Sequence, residues 1–278
     1  MSNQRYARVL SIAGSDSGGG AGIQADLKTF AALGCYGMTA ITALTAQNTR
    51  GVSGIHPVPP AFLKAQLQAV IEDIGVDAVK IGMLHAAEIV EVVAWAIDTY
   101  RLPNVVLDPV MVATSGDRLI AQETVQVLVR QLFPRAALVT PNLDELSLLL
   151  GRPVTQAAQL EIAAADLLAL GARAVLVKGG HLEGDDIVDV LAQAGPPARF
   201  EALRAGRIAT INTHGTGCTL SSAIACGLAL GQPLEAAVRQ AAAFVRAAMT
   251  SGAGVRTGGG HGPLDHGHAP VASRRFPG

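Results

Sequence analysis

The sequence lacks an excess of either charge, and it also lacks long hydrophobic runs. Among its 278 residues, 21 Lys and Arg stand against 22 Asp and Glu, which leaves a formal net charge of −1. A protein dedicated to nucleic acid or to an anionic membrane surface carries a basic surface. The apolar stretch 220–230 is too short and too rich in Gly, Ser and Ala to span a bilayer. We therefore expect neither nucleic acid nor membrane as a partner, and a small molecule instead.

Cysteine is also scarce. The chain has only Cys35, Cys218 and Cys226, and none of them belongs to a CxxC pair. An odd number in a chain of this length argues against a disulfide framework and against a zinc knuckle. The first residues show no apolar segment followed by a cleavage site, as a signal peptide would. These features predict a cytoplasmic protein.

What is present is an alternation of short apolar runs and longer segments of helical period. The runs end in polar residues or glycine, and they lie at 8–13, 78–81, 105–108, 137–140 and 174–178. The longer segments carry apolar residues three and four positions apart, and they lie at 23–33, 61–74, 86–100, 123–133 and 160–170. This alternation predicts an α/β fold with a mostly parallel sheet covered by helices, in which ligands bind at the strand exits.

Two regions depart from this alternation. Residues 36–58 alternate like one or two exposed edge strands, and residues 186–208 predict an antiparallel meander. Two helices of small residues are expected at 216–230 and 234–251. The Gly-, His- and Pro-rich tail from residue 252 predicts a loosely ordered segment. Because we find no internal repeat and no long linker, we expect one domain over residues 1–278.

Two glycine-rich loops each follow a strand or turn and lead into a helix. The first runs from Gly14 to Gly22, and the second contains Gly215, Thr216, Gly217 and Cys218. Free amides and the helix dipole at such a position stabilise an anion such as a transferring phosphoryl group. No lysine follows a glycine, which excludes a Walker A loop. A plain turn is the alternative for the first loop.

The position of Cys218 predicts reactivity. A thiol at a helix N-terminus has a lowered pKa, so Cys218 could act as a base or present a thiolate. An inert thiol is the alternative there. For Cys35 and Cys226, which lie among apolar or small residues, packing is the expected role.

Three further strand exits carry polar side chains. Asp108 ends one apolar run, and Asn142 and Glu145 lie three residues apart at the opening of a helix. Such a pair suits Mg²⁺ held through water and nucleotide phosphates, and helix capping by Asn142 is a compatible alternative. Lys178, followed by Gly-Gly-His, offers a cation for the same phosphates.

A series of motifs in fixed order covers nearly the whole chain: GSDSGGGAGIQADLKTF, ALTAQNTRGV, VKIGML, NVVLDPVM, TPNLDE, KGGH, NTHGTGCTLS and GHGPLDHGHA. These motifs resemble those of the bacterial hydroxymethylpyrimidine and phosphomethylpyrimidine kinases of thiamine biosynthesis. The resemblance implies a ribokinase-like, three-layer α/β/α fold with small edge strands. It also implies ATP and Mg²⁺ as cofactors, phosphorylation of the pyrimidine alcohol and then of its monophosphate, and a homodimer. Gly18, where many relatives have Ser, and the tail around Asp265 and Gly267 depart from the pattern.

The resemblance further implies roles for individual residues. The residues that would hold the pyrimidine are Gly14, Asp26, Gln47, Met83 and Val110. The segment from Gly215 to Cys218 would form the anion hole, with Cys218 in the place of a catalytic base. Asn142 and Glu145 match the Mg²⁺ and phosphate motif, Lys178 would approach the ATP phosphates, and Asp108 would belong to the water shell of the metal.

Two other functions stay open from the sequence. A pyridoxine or pyridoxal kinase shares the implied fold, although VKIGML and AQN favour a pyrimidine. A pyrimidine-binding regulator without catalysis is the second, and the intact Cys218 and Lys178 speak against it. The HxH pair His266 and His268 has no Cys and no further acid clustered nearby, so we expect a solvated segment there and not a metal site.

Overall fold

The computed structural model describes residues 4–111, 120–180, 182 and 184–277, so His181 of the KGGH motif lies outside the described residues. In chain order the strands are β1 (Gln4–Tyr6), β2 (Arg8–Ala13), β3 (Tyr36–Ile41), β4 (Ala43–Asn48), β5 (Gly51–Pro57), β6 (Ala78–Ile81), β7 (Val105–Leu107), β8 (Leu138–Val139), β9 (Ala174–Val177), β10 (Asp186–Gln193), β11 (Arg199–Gly206) and β12 (Arg275–Pro277). The α-helices are α1 (Gly22–Ala32), α2 (Pro60–Asp73), α3 (Ala87–Tyr100), α4 (Gln122–Leu132), α5 (Leu143–Leu150), α6 (Leu160–Ala169), α7 (Thr216–Ala229) and α8 (Leu234–Gly252).

Within the described ranges, eight of these strands form the central sheet in the order β11-β10-β9-β8-β7-β6-β2-β3. The six strands from β9 to β3 run parallel, and β10 and β11 are antiparallel additions at one edge. All five predicted apolar runs are strands of this sheet. The α/β fold with a mostly parallel sheet is therefore confirmed.

Helices cover both faces of the sheet because its strands alternate between two cores. Leu10 and Ile12 of β2 pack into a core with α2, α3, α4, α5 and α6, whereas Val9 packs into a second core with α1, α7 and α8. Parallel strands buried on both faces are expected to be apolar at every position. The result is the three-layer arrangement that the family resemblance implies.

The region 36–58 divides between two sheets. Tyr36–Ile41 is the edge strand of the central sheet, parallel to β2, while Ala43–Asn48 and Gly51–Pro57 form a separate antiparallel hairpin. The meander predicted at 186–208 is confirmed as β10 and β11, and it extends the central sheet through β9. The short helix α5 begins after Asn142, where the sequence predicts the opening of a helix, but its 8 residues are too few to show a helical period.

The expectation of a solvated segment around His266 is wrong, because the C-terminal segment packs against α7. Leu264 is 4% exposed and His266 is 5% exposed, and His266 Nε2 lies 2.9 Å from Thr219 Oγ1 of α7. Nδ1 of His268 instead lies 3.0 Å from the carbonyl oxygen of Asp265, so the two imidazoles have different partners. At the end of the segment β12 pairs with β1. Among the described helices, none combines the length and apolar character needed to cross a membrane.

Candidate active site

The carboxyl ends of the parallel strands open onto a cavity of about 720 Å³. This volume suits a small molecule. The predicted site residues that line it are Gly14, Gln47, Met83, Asp108, Val110, Asn142, Glu145, Lys178, Gly215, Thr216, Gly217 and Cys218. They come from the exits of β2, β6, β7, β8 and β9, from the β4–β5 hairpin and from the start of α7. The topology thus brings residues that are far apart in the chain to one place.

Asp26 is the predicted site residue that the structure does not bring to this cavity. Its side chain is fully buried and accepts hydrogen bonds from Ser11 Oγ at 2.6 Å and Ser222 Oγ at 2.7 Å. Its Oδ2 also lies 2.9 Å from Lys80 Nζ. Asp26 belongs to the buried face of α1, so its carboxylate is directed into the protein. The expectation that Asp26 contacts the pyrimidine is therefore not met.

Lys80 is a site residue that the sequence analysis missed. It is 0% exposed, yet it lines the cavity from the middle of β6, and its charge is balanced by Asp26. Burial opposes its protonation, but the neighbouring carboxylates of Asp26 and Asp108 raise the pKa of Lys80 above its ordinary value. The sequence signal was a lysine inside an otherwise apolar strand, which is unfavourable unless a partner is present.

The second glycine loop forms one wall of the cavity. Gly215 is the N-cap of α7 and has a left-handed φ of 84°, and a Cβ at this position would overlap the carbonyl oxygen of Gly20. Glycine is therefore required there for both conformation and space. In the described structure no side chain caps the first turn of α7, and Thr216 and Gly217 line the cavity. The helix start can accordingly offer its amides to an anion.

A cation lies against this loop. Lys178 Nζ is 2.9 Å from Asp108 Oδ1, and a Cβ on Gly217 would lie 3.2 Å from the same Nζ. Thr140 Oγ1 donates a second hydrogen bond to Asp108 Oδ1 at 3.0 Å. Burial opposes ionisation of Asp108, but the charges of Lys178 and Lys80 hold the pKa of this carboxyl below its ordinary value. Ammonium and helix amides together make the region attractive to phosphate.

Asn142 and Glu145 form a capping box at the start of α5, so the capping role considered from the sequence is confirmed. Asn142 Oδ1 accepts from the backbone N–H of Glu145 at 2.9 Å, and Glu145 Oε2 accepts from the backbone N–H of Asn142 at 2.8 Å. Glu145 is 2% exposed. Burial, together with the negative charge of Asp108, raises its pKa to about 7 against the opposing effect of Lys178.

We expect Glu145→Gln to make the protein more stable at neutral and alkaline pH in the absence of Mg²⁺. The pKa of Glu145 is raised from 4.5 to about 7, so the folded state binds the proton more tightly than the unfolded state does. The stability that this proton contributes to the folded state is complete below pH 4.5 and is lost as pH rises to about 7. Glutamine stays neutral and can still accept from Asn142. The expected gain is on the order of 2 kcal/mol at about pH 8 and much smaller at about pH 5.

Urea unfolding of the variant at both pH values, in the presence of a chelator, measures this difference. Glu161→Gln is the matched control, since Glu161 lies in the first turn of α6 but is exposed. An equal stability difference at both pH values would contradict the assigned cause.

The pKa of Cys218 differs from the sequence expectation. The residue lies in the first turn of α7, as predicted, and lines the cavity. However, burial, with the carboxylates of Asp26 and Asp108, raises the pKa of its thiol to about 11, against the opposing effect of Lys80. The prediction of a lowered pKa is therefore wrong. Desolvation of the thiol and the charges of two nearby carboxylates raise its pKa by more than the helix N-terminus lowers it.

Asp16 and His214 are further cavity residues that the sequence analysis did not assign. They connect the two glycine loops, with His214 Nε2 at 2.8 Å from Asp16 Oδ2. Burial acts against ionisation of Asp16, but hydrogen bonds from His214 and from the backbone of Ala21 and Gly18 hold its pKa below the ordinary value. The two residues are 198 positions apart, so only the fold brings them together.

Comparison with known proteins shows which family the chain resembles. The chain matches the family model described as phosphomethylpyrimidine kinase over residues 16–265. It is 52% identical to a hydroxymethylpyrimidine/phosphomethylpyrimidine kinase of Streptomyces coelicolor, over 94% of each chain. It is 53% identical to a thiamine biosynthesis bifunctional protein of Geobacter sulfurreducens over 93% of this chain, and it spans about half, 52%, of that longer protein.

A solved structure gives the same fold. The pyridoxal kinase of Bacillus subtilis in complex with ADP superposes with a TM-score of 0.86 at 39% sequence identity. The match covers 94% of this chain and 98% of that one.

Proposed function

The chain belongs to the phosphomethylpyrimidine kinase family, and on that basis we propose that it phosphorylates 4-amino-5-hydroxymethyl-2-methylpyrimidine in thiamine biosynthesis. The γ-phosphoryl group of ATP passes to the hydroxymethyl oxygen, and a second transfer to the monophosphate gives the diphosphate. The observation that carries the proposal is the convergence of Gln47, Lys178 and Cys218 on one cavity, together with the uncapped start of α7.

The pyrimidine occupies the part of the cavity next to the β4–β5 hairpin in this proposal. The Gln47 carboxamide offers a donor and an acceptor, which pair with a ring nitrogen and the amino group of an aminopyrimidine. Met83 and Val110 supply apolar contacts for the ring faces, and Gly14 lets the ring come close to the backbone. This arrangement directs the hydroxymethyl group toward the start of α7.

Phosphoryl transfer then depends mainly on positioning and on charge stabilisation. The backbone of Gly215, Thr216 and Gly217 forms the anion hole, and Lys178 neutralises phosphate charge beside it. The thiolate form of Cys218 accepts the proton of the hydroxymethyl oxygen and becomes the thiol. Because most analyses of phosphoryl transfer find a loose transition state, the proton can leave late, so a base with a raised pKa is compatible with the reaction.

Asp108, Asn142 and Glu145 would hold Mg²⁺ through water, together with the nucleotide phosphates. The donor set fits this indirect mode: both carboxylates line the cavity, but Asp108 is paired with Lys178 and Glu145 accepts from the backbone. Among the described residues, no three His, Cys, Asp or Glu side chains cluster as a metal site of their own. Mg²⁺ usually keeps several waters and binds through one or two carboxylates plus phosphates. When bound, it supplies positive charge to the transferring group.

The experiment that tests the function is a coupled ATP-turnover assay with Mg²⁺. It compares hydroxymethylpyrimidine, its monophosphate, pyridoxine and ribose at equal concentration. We expect both pyrimidine forms to give much the highest kcat/KM. Turnover of neither pyrimidine form would overturn the proposal.

A pyridoxine or pyridoxal kinase is the second candidate, because the pyridoxal kinase of Bacillus subtilis has nearly the same fold. Highest efficiency with pyridoxine in the same assay would favour it. In that case the roles proposed for the anion hole and Lys178 stand. The contacts with a pyrimidine ring proposed for Gln47, Met83 and Val110 would then be wrong.

We further propose that the chain forms a homodimer of single-domain subunits in the cytoplasm. The β4–β5 hairpin stands apart from the central sheet and leaves Leu44 and Ile55 exposed at 47% and 44%, which supports an interface there. The free thiols of Cys35, Cys218 and Cys226 support a reducing compartment. Sedimentation equilibrium, against the 28.5 kDa mass of one chain, measures the oligomeric state.

A further inference from the structure

The contact between Asp16 and His214 determines which imidazole nitrogen faces the carboxylate as a hydrogen-bond donor. Asp16 Oδ2 lies 2.8 Å from His214 Nε2 and also accepts the backbone N–H groups of Gly20 at 3.0 Å and Ala21 at 2.8 Å. A carboxylate held in this way is an acceptor only. Nε2 must therefore carry a hydrogen and donate it to Asp16.

This assignment has a consequence for Gln47. Its Nε2 lies 3.4 Å from the same His214 Nε2, so two N–H donors face each other. On its other side, Gln47 Oε1 lies 3.1 Å from Thr45 Oγ1. The Thr45 hydroxyl has one hydrogen, and the carbonyl oxygen of Ser15, at 2.9 Å, is the nearer acceptor for it.

A half-turn of the carboxamide resolves both conflicts. The Gln47 oxygen then faces the N–H of His214, and the Gln47 nitrogen donates to the lone pairs of Thr45 Oγ1. The Gln47 nitrogen gains an acceptor, the Gln47 oxygen lies beside the N–H that His214 shares with Asp16, and one amide hydrogen and one oxygen lone pair stay available to the cavity. The orientation with two facing donors is the less favourable one by the loss of at least one hydrogen bond.

His214 is itself held firmly in place. It is 8% exposed, its backbone N–H donates to the carbonyl oxygen of Gly262 at 3.0 Å, and a Cβ on Gly20 would lie only 2.5 Å from its Cδ2. The first glycine loop thus packs against the imidazole, and the C-terminal segment holds the backbone of the same residue. An N–H donor that is fixed in this way can set the orientation of a neighbouring group that rotates more freely, such as a carboxamide.

We propose that His214, held by Asp16, is a positioning residue that sets which end of the Gln47 carboxamide faces each part of the substrate ring. This proposal rests on the function proposed above. An aminopyrimidine presents its acceptor and donor in a definite order, so the order in which Gln47 presents its own groups decides whether they match. His214 and Asp16 thereby determine ring specificity without contacting the reacting atoms.

The test is steady-state kinetics of His214→Leu and His214→Gln, with hydroxymethylpyrimidine and pyridoxine as substrates. Leucine removes the donor, and glutamine can place an N–H near the position of Nε2. We expect His214→Leu to raise the KM for hydroxymethylpyrimidine about tenfold, the effect of losing roughly one hydrogen bond, with kcat and the KM for ATP little changed. The preference for the pyrimidine over pyridoxine should fall, and His214→Gln should restore much of it.

Two additional variants keep the test decisive. Thr45→Val removes the second anchor of Gln47 without touching His214, so it should lower the same preference even if His214→Leu does not fold. His266→Leu is the control, because His266 is also buried and contacts α7 but lies outside the cavity lining. It should leave the ratio of the two substrates unchanged.

The result that overturns the proposal is an unchanged substrate ratio in folded His214→Leu or, where that variant does not fold, in Thr45→Val. A fall in kcat that is equal for both substrates also overturns it, since that pattern belongs to a loosened anion hole. Failure of the proposed function is separate and is seen in the unmutated protein, which would then turn over neither pyrimidine form.

Discussion

Cys218→Ala should lower kcat about 10²- to 10⁴-fold and leave the KM values nearly unchanged, the range expected for loss of a general base. The thiol lines the cavity at the start of α7, next to the glycines of the proposed anion hole. Alanine removes the proton acceptor but adds no bulk and leaves the backbone amides in place. The measurement is steady-state turnover with both pyrimidine forms, together with substrate binding by calorimetry.

The pH profile distinguishes a base from a packing residue. Because the pKa of Cys218 is raised to about 11, the thiolate fraction of the free enzyme increases with every pH unit across the neutral range. In the unmutated protein kcat/KM should therefore rise between about pH 7 and pH 9, and Cys218→Ala should lack this rise.

Cys226→Ala is the matched control for this experiment. Cys226 lies two turns further along α7, is fully buried and is absent from the cavity lining. It should keep the profile of the unmutated enzyme. Undiminished kcat in Cys218→Ala would remove Cys218 from the mechanism.

Lys80→Met is expected to cost about 3–5 kcal/mol in the free energy of unfolding, which is typical when one partner of a buried ion pair is removed. Both side chains of the Lys80–Asp26 pair are 0% exposed, and the Nζ–Oδ2 distance is 2.9 Å. Methionine fills similar space but leaves Asp26 with only the hydroxyl groups of Ser11 and Ser222 as donors. An uncompensated charge then lies between the sheet and α7.

Urea unfolding at neutral pH measures the loss, and a double-mutant cycle with Asp26→Asn isolates the pair. The double variant should recover part of the stability, because neither charge is then buried alone. Asp98→Asn provides the contrast, since Asp98 is paired with Arg135 at 2.6 Å but is 57% exposed. Its loss should be below about 1 kcal/mol. Strictly additive losses in the Lys80–Asp26 cycle would show that the pair is not coupled.

Much of the site could be predicted because strand exits are local features. Apolar runs that end in Asp108 and Lys178, and the polar segment at Asn142, can be found in the sequence without knowing the sheet order. Since parallel strands place their carboxyl ends at one edge, any order of these strands places those residues along the same edge of the sheet. The glycine at 215 was identifiable for a similar reason, because a turn into a helix with left-handed φ requires it.

Some predictions failed because they depended on surroundings that periodicity does not describe. The buried position of the Asp26 carboxylate depends on its ion pair with Lys80, which lies 54 residues later in the chain. The pKa of Cys218 was predicted from its own helix, whereas desolvation and the carboxylates of Asp26 and Asp108 control it. Such effects fall off over a few ångströms of space and have no fixed separation in sequence.

The sequence by itself determined the α/β class, the family, the strand exits that carry Asp108, Asn142 and Lys178, and the glycine loop that leads into α7. Each of these depends on neighbours within a few positions, or on motifs in order. Only the tertiary structure decided the burial of Asp26 with Lys80, the raised pKa of Cys218 and the contact of His214 with Asp16 and Gln47. The physical reason is that buried charges and hydrogen bonds depend on which atoms meet in three dimensions, and these residues meet only after the sheet and both glycine loops have assembled.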